Sequence, residues 1–179
     1  MALKPTIYKA QVELADSDRN LYESLPLTIA CHPSETLERM AARLIVFCLQ
    51  AGRGLEFTRG LSSVEEPDLW RHADSGEIEQ WIEVGQPEPL RLRKACGKAG
   101  EVVVYAFGRS ADTWWKLNAE TITALPRIRV WQFDWGEIEA LTALIKRTMQ
   151  LNVSIVGGVV YVDNGSDSAS LEPVALLPS

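Results

Sequence analysis

Apolar and polar residues alternate in the first stretch of the chain, through Leu3, Ile7, Tyr8, Val12 and Leu14, and again through Leu25, Leu27, Ile29 and Cys31. A period of two over such lengths predicts strands with one buried face. The intervening Asp16-Ser17-Asp18-Arg19-Asn20 has turn composition, so the two runs read as a long β-hairpin. After Pro33-Ser34 the period changes to that of a helix. Leu37, Met40, Ala41, Leu44, Ile45 and Cys48 form one stripe, with Ser34 as the expected cap, Glu35 in the first turn and Gly52 at the end. Glu35 and Arg39 are spaced for an ion pair on that helix, and Glu38 lies at the edge of the stripe.

Shorter elements follow. Leu55-Glu56-Phe57 reads as a brief strand and Arg59 to Ser63 as a loop. Leu69-Trp70 and Trp81-Ile82-Glu83-Val84 read as adjacent strands separated by a polar turn over His72 to Gly76. Gly85-Gln86-Pro87 breaks the second strand and opens a helix with Pro87 near its first turn and a stripe of Leu92, Ala95, Cys96 and Ala99. The nearly continuous apolar run Glu101 to Phe107 predicts a central parallel strand. A short helix over Lys116 to Leu125 follows Trp114-Trp115, and Arg127 to Phe133 alternates as a half-buried strand. The tryptophan pair is expected to pack against the sheet rather than stack bases. Asp134 caps a further helix whose face includes Ile138, Leu141, Ile145 and Met149. Val153 to Val162 carries Gly157-Gly158 at its centre, the composition of a tight hairpin turn. Asn164 to Ser170 reads as a loop, and Leu171 to Leu177 as an edge strand. The sum is an α/β fold: a mixed central sheet flanked by helices, with antiparallel hairpins at both ends.

Composition narrows the class without changing that picture. A chain of 179 residues, 46% hydrophobic and 23% charged, suits one compact domain over 1–179 with a sizeable core. No apolar run is long enough to span a bilayer, and the residues after Met1 lack the apolar core of a signal peptide. Three cysteines, an odd number without metal-type pairing, point to reduced thiols and a cytoplasmic location. The net charge of −6 argues against tight non-specific nucleic-acid binding, which draws on phosphate neutralisation, yet leaves room for a local basic groove.

Candidate chemistry concentrates between Glu65 and Lys94. Glu83 stands inside an apolar strand, where an ionised carboxylate requires a partner, a metal or a shifted pKa. Asp68 opens the preceding strand, so the two acids are placed to converge on one hard cation. The helix beyond carries Arg91, Arg93, Lys94 and Lys98, whose commoner explanation is a solvated face. Elsewhere the residues supply little. His32 and His72 lack zinc-site spacing, no phosphate-binding glycine loop or nucleophile elbow is present, and Cys31 and His32 point to opposite strand faces. The acidic turn at 16–20 lacks the glycine and distal glutamate of a calcium loop and reads as a solvated turn.

Pro67-Asp68 followed by an acid inside a hydrophobic strand resembles the PD-(D/E)XK, or restriction-endonuclease-like, nuclease superfamily. The order and spacing of H-P-S-E-T-L-E-R-M at 32–40, E-P-D-L-W at 66–70, W-I-E-V-G-Q-P at 81–87 and R-K-A at 93–95 resemble the YaeQ family of bacterial proteins over nearly the whole chain. These resemblances imply a restriction-endonuclease-like fold in which Asp68 and Glu83 hold Mg²⁺ or Mn²⁺. They also imply a lysine two residues after the second acid, a position that Gly85 occupies here. The expected replacements are Lys94 or Arg91, with Gln86 orienting water or contacting phosphate. Glu38 is a further candidate, because the first helix of the superfamily often brings a glutamate near the metal. Two readings follow: a metal-dependent phosphodiesterase acting on nucleic acid, or a non-catalytic factor, associated with nucleic acid or protein, on a scaffold that has lost the chemistry.

Overall fold

The structure, a computed structural model, describes residues 4–59 and 63–177. Leu3 and the part of the expected loop at Gly60 to Ser62 lie outside the described residues. The chain forms two compact units whose segments alternate along the sequence: Met1–Leu49 with Gly136–Pro173, and Gln50–Trp135 with Val174–Ser179. Each unit is built on a mixed sheet.

In the first unit, β1 (Thr6–Asp16) and β2 (Leu21–Cys31) form the expected hairpin, in register from Thr6 opposite Cys31 to Asp16 opposite Leu21. The hairpin of β8 (Thr148–Val156) and β9 (Val159–Asp163) lies in the same sheet, because β8 runs parallel to β1 with Lys9 opposite Thr148 and Asp16 opposite Ile155. A short β10 (Ser168–Leu171) completes the order β10-β9-β8-β1-β2. The terminal hairpins are therefore not appendages of one central sheet; they make a second sheet of their own. Ala10, Val12 and Leu14 of β1 and Met149, Leu151 and Val153 of β8 fall on its buried face.

The two turns of this sheet are tied together by a side chain. Gly157 and Gly158 both have positive φ (+59° and +79°), as a two-residue hairpin turn requires. Their amides donate to the Asp18 carboxylate at 2.7 and 2.8 Å. These bonds hold the exposed Asp18 carboxyl below its ordinary range. Asp16, buried, accepts from Arg19 at 2.6 Å. The acidic turn is thus structural.

Helix α1 (Leu37–Gln50) buries the stripe read from sequence, and Thr36 Oγ1 accepts the Arg39 amide at its start in place of the expected Ser34 cap. Glu35 pairs with Arg39 at 2.5 Å as its spacing suggests. It also pairs with Arg43, which is almost fully buried and donates to the Ala30 carbonyl as well. Helix α4 (Trp135–Thr142) is shorter than its apolar face implied. Met149, expected on that helix, belongs to β8, where pairing with β1 decides its conformation.

The second unit has the order β11-β7-β6-β5-β4-β3. Strands β5 (Ile78–Val84), β6 (Ala99–Ala106) and β7 (Ile128–Gln132) are parallel, with β6 buried centrally as its apolar run predicts. Strands β3 (Leu55–Phe57), β4 (Leu69–His72) and β11 (Val174–Leu177) pair antiparallel outside them, β11 at an edge. Helices α2 (Pro89–Cys96) and α3 (Ala111–Thr123) contribute Leu92, Ala95, Trp114 and Ile122 to a core that also contains Trp81, Val102, Val104 and Val130. Trp114 donates its indole N–H to the Pro87 carbonyl at 2.9 Å, which fixes it as a packing residue. Helix α2 begins at Pro89 with Glu88 as cap, two residues later than Pro87 suggested, and α3 begins at Ala111, so it includes Trp114 and Trp115. Cys31, Cys48 and Cys96 are free and buried. No described helix is long and apolar enough to cross a membrane.

Candidate functional site

The acids singled out in the sequence lie side by side in the second unit. Strands β4 and β5 pair with Leu69 opposite Ile82, a register that carries Asp68 toward Glu83 at the end of the ladder. Both residues are buried, at 3% and 5% exposure. Asp68 Oδ2 accepts the Val84 amide at 2.7 Å, and the Asp68 amide donates to the Ile82 carbonyl at 3.0 Å, so the carboxylate is locked against the β5 backbone.

Glu83 is held differently. Trp81, two residues earlier on the same strand face, donates its indole N–H to Glu83 Oε1 at 2.8 Å. Arg91 Nε donates to the same oxygen at 2.7 Å. Both bonds fall on Oε1. Burial pushes the Glu83 carboxyl up to about 7, the neighbouring Asp68 charge adds to this, and Arg91 and the indole only partly offset it.

The remaining candidates divide. Arg91 reaches the acids, but as an ion-pair partner: its other two nitrogens donate to the Val64 and Glu66 carbonyls, each at 2.8 Å. Its position on the first turn of α2, directly after the chain leaves β5, gives it this reach. Lys94 is exposed one turn later, where it lines a surface pocket of about 270 Å³ with Trp81, Arg91, Lys98, Glu65 and Glu88. Gln86 turns toward the β6–α3 connection, donating to the Phe107 carbonyl and accepting from Ser110 Oγ, both at 3.1 Å. Glu38 is half-buried in the first turn of α1, in the first unit, whereas the carboxylate pair is built entirely within the second.

Gly85 explains its own presence. Its φ is +124°, a conformation glycine adopts readily and side-chain-bearing residues rarely do, although a Cβ there would meet nothing within 4 Å. The backbone at this bend, not lack of space, excludes a lysine. Sequence reading missed Trp81 as a donor to Glu83, although the two-residue spacing in W-I-E signalled a shared strand face.

Among the described residues, no group of three or more His, Cys, Asp or Glu gathers around a common point. Carboxylate oxygens are the donor type of hard cations such as Mg²⁺ rather than of softer metals that want nitrogen or sulfur.

The profile of the YaeQ protein family matches residues 1–173. The YaeQ proteins of Salmonella typhi and Escherichia coli (strain K12), both described as uncharacterised, are 39% identical to this chain over 176 residues, covering 98% of it and 97% of each relative. Among solved structures, the YaeQ protein from Xanthomonas axonopodis pv. citri superposes with a TM-score of 0.93 at 41% identity, covering 98% of this chain and 99% of that one. The YaeQ protein from Pseudomonas syringae gives the same TM-score at 32% identity, covering 98% and 97%.

Proposed function

The chain belongs to the YaeQ family, and from that premise we propose that its second unit is a restriction-endonuclease-like scaffold carrying a variant, Mg²⁺- or Mn²⁺-dependent phosphodiesterase site for nucleic acid. The observation that carries this reading is the burial of Asp68 beside Glu83, where desolvation first and the Asp68 charge second raise the Glu83 carboxyl to about 7. Two such groups at the interior strands β4 and β5, beside a parallel β5-β6-β7 core, are costly to bury and are repaid by a cation.

In this reading Asp68 and Glu83 are the residues that would hold the cation; the bonds from Trp81 and Arg91 both fall on Glu83 Oε1. A bound Mg²⁺ supplies Lewis-acid polarisation of a phosphate and a water of lowered pKa. The residues of the chain do the rest. Asp68, locked by the Val84 amide, sets the geometry. Glu83, whose carboxyl is raised by burial to about 7, would supply the second carboxylate oxygen to that cation when ionised. Lys94, exposed in the lining of the pocket that Trp81 and Arg91 share, is available to contact a phosphate oxygen.

A second reading is favoured by two specific observations. Gly85 stands at the motif lysine position in a glycine-type conformation, and Arg91 already sits on Glu83. On that view the scaffold serves as a non-catalytic, nucleic-acid- or protein-associated factor. Incubation with single- and double-stranded DNA and RNA in Mg²⁺ and in Mn²⁺ separates the two. The first predicts metal-dependent cleavage that disappears in Asp68→Asn and in Glu83→Gln, and that falls in Lys94→Ala. Wild-type protein inert on all four substrates in both metals favours the second.

A further inference from the structure

Arg91 is more than a neighbour of Glu83. Its three nitrogens each donate to one oxygen: Glu83 Oε1 at 2.7 Å, the Val64 carbonyl at 2.8 Å and the Glu66 carbonyl at 2.8 Å. A carboxylate and two backbone carbonyls converging on one positive charge are the oxygen types that also surround hard divalent cations. The guanidinium thus stands as a resident cation at the carboxylate pair. It draws on the same charge that a metal would draw on, and a second cation beside it would be repelled. Its side chain remains one-third exposed while that of Glu83 is 7% exposed, so the guanidinium has a solvent-facing way out that the carboxylate lacks.

Resting on the reading of Asp68 and Glu83 as cation ligands, we propose that Arg91 is the resting counter-ion of this site and that a divalent cation loads only as the guanidinium withdraws, freeing the Val64 and Glu66 carbonyls. The clasp is an autoinhibitory contact. It keeps the buried acids compensated when no cation is present, and it couples cation loading to the segment that leads into Asp68. By linkage, whatever weakens the clasp strengthens cation binding by the same factor.

The test is a titration of the full chain with Mg²⁺, a diamagnetic probe, followed through the nitrogen-bound protons of Arg91 Nε and Trp81 Nε1. Movement of the Arg91 signal to the position of solvent-exposed arginine, with the same midpoint as the Trp81 signal, is the expected result. A Trp81 signal that moves while Arg91 stays fixed overturns the clasp and leaves the carboxylates as a cation site. If neither signal moves at millimolar Mg²⁺, the cation-site reading falls and this inference falls with it. In Arg91→Gln, Mn²⁺ binding measured by calorimetry is expected to tighten about tenfold, within the usual range of coupling between two ligands, and to vanish when Asp68→Asn is added. Unchanged or weaker Mn²⁺ binding in Arg91→Gln overturns the proposal. The wild-type titration decides the question should that variant fail to fold.

Discussion

Glu83 gives the clearest expectation for a single residue. Its carboxyl is raised from 4.5 to about 7 by burial and by Asp68. Above pH 7 it is ionised in both folded and unfolded chains. Between 7 and 4.5 the folded chain binds a proton that the unfolded chain does not, so this group makes the protein more stable as pH falls through that window. Below 4.5 the effect levels off. Its size is on the order of 3 kcal/mol across the window. The difference in urea stability between wild type and Glu83→Gln, followed from pH 4.5 to 8, isolates the effect from other carboxylates; a difference that does not change with pH contradicts it. Gly85 gives the second. Restoring the motif spacing with Gly85→Lys forces a side-chain-bearing residue to a φ of +124° and should cost about 1–3 kcal/mol without creating a working site. Thermal unfolding and a cleavage assay on the same preparation check both halves. Glu83 was legible in the sequence because an acid in an apolar strand breaks a local pattern, whereas Gly85 drew notice only through the superfamily resemblance, which implies a lysine there. The role of Arg91 was not, since a helix wheel says nothing of what lies beyond the end of the preceding strand.

Among the elements, those with a strong local period came through. The β1–β2 hairpin, the Gly157-Gly158 turn, the α1 stripe and the central β6 form where the sequence places them. Two misplaced segments share one cause, a strand pairing that outweighs a local pattern. Met149 continues the helical spacing of Ile138, Leu141 and Ile145, yet lies opposite Ala10 in a parallel ladder. Strand β10 has the composition of a loop and is a strand because it pairs with β9, with Ser168 opposite Asp163. Arg43 was hidden differently: it occupies a buried position on α1 and pairs with Glu35 and Ala30. Replacing it by alanine leaves the buried Glu35 with one arginine fewer, and Arg43→Ala should cost about 3 kcal/mol. Arg39→Ala, at a more exposed position, should cost less. Chemical denaturation of the two variants tests the order; equal losses would show that burial does not separate the two arginines.

At the level of the whole molecule, no local pattern reveals that hairpins from opposite ends of the chain share a sheet. The parallel pairing of β1 with β8 joins residues roughly 140 positions apart and makes the first unit depend on both chain segments. A fragment ending at Trp135 retains β1 and β2 without β8, which uncovers one long edge and removes part of the apolar layer over Ala10, Val12 and Leu14. Amide exchange in β1 should then be fast, and adding a peptide of residues 136–179 should restore protection. Protected β1 amides in the fragment alone would show that the hairpin stands without its parallel neighbour.

The clasp of Asp18 on Gly157 and Gly158 carries a consequence for how this sequence can drift. Two turns so distant in the chain answer to one carboxylate, and the amides it binds point at it only while both glycines keep positive φ. A mutation at 157 or 158 that straightens the turn leaves Asp18 an acid with no task, and one at 18 leaves two amides to water. The three positions therefore form a single heritable character, expected to be kept or abandoned together, although 139 positions separate Asp18 from Gly157.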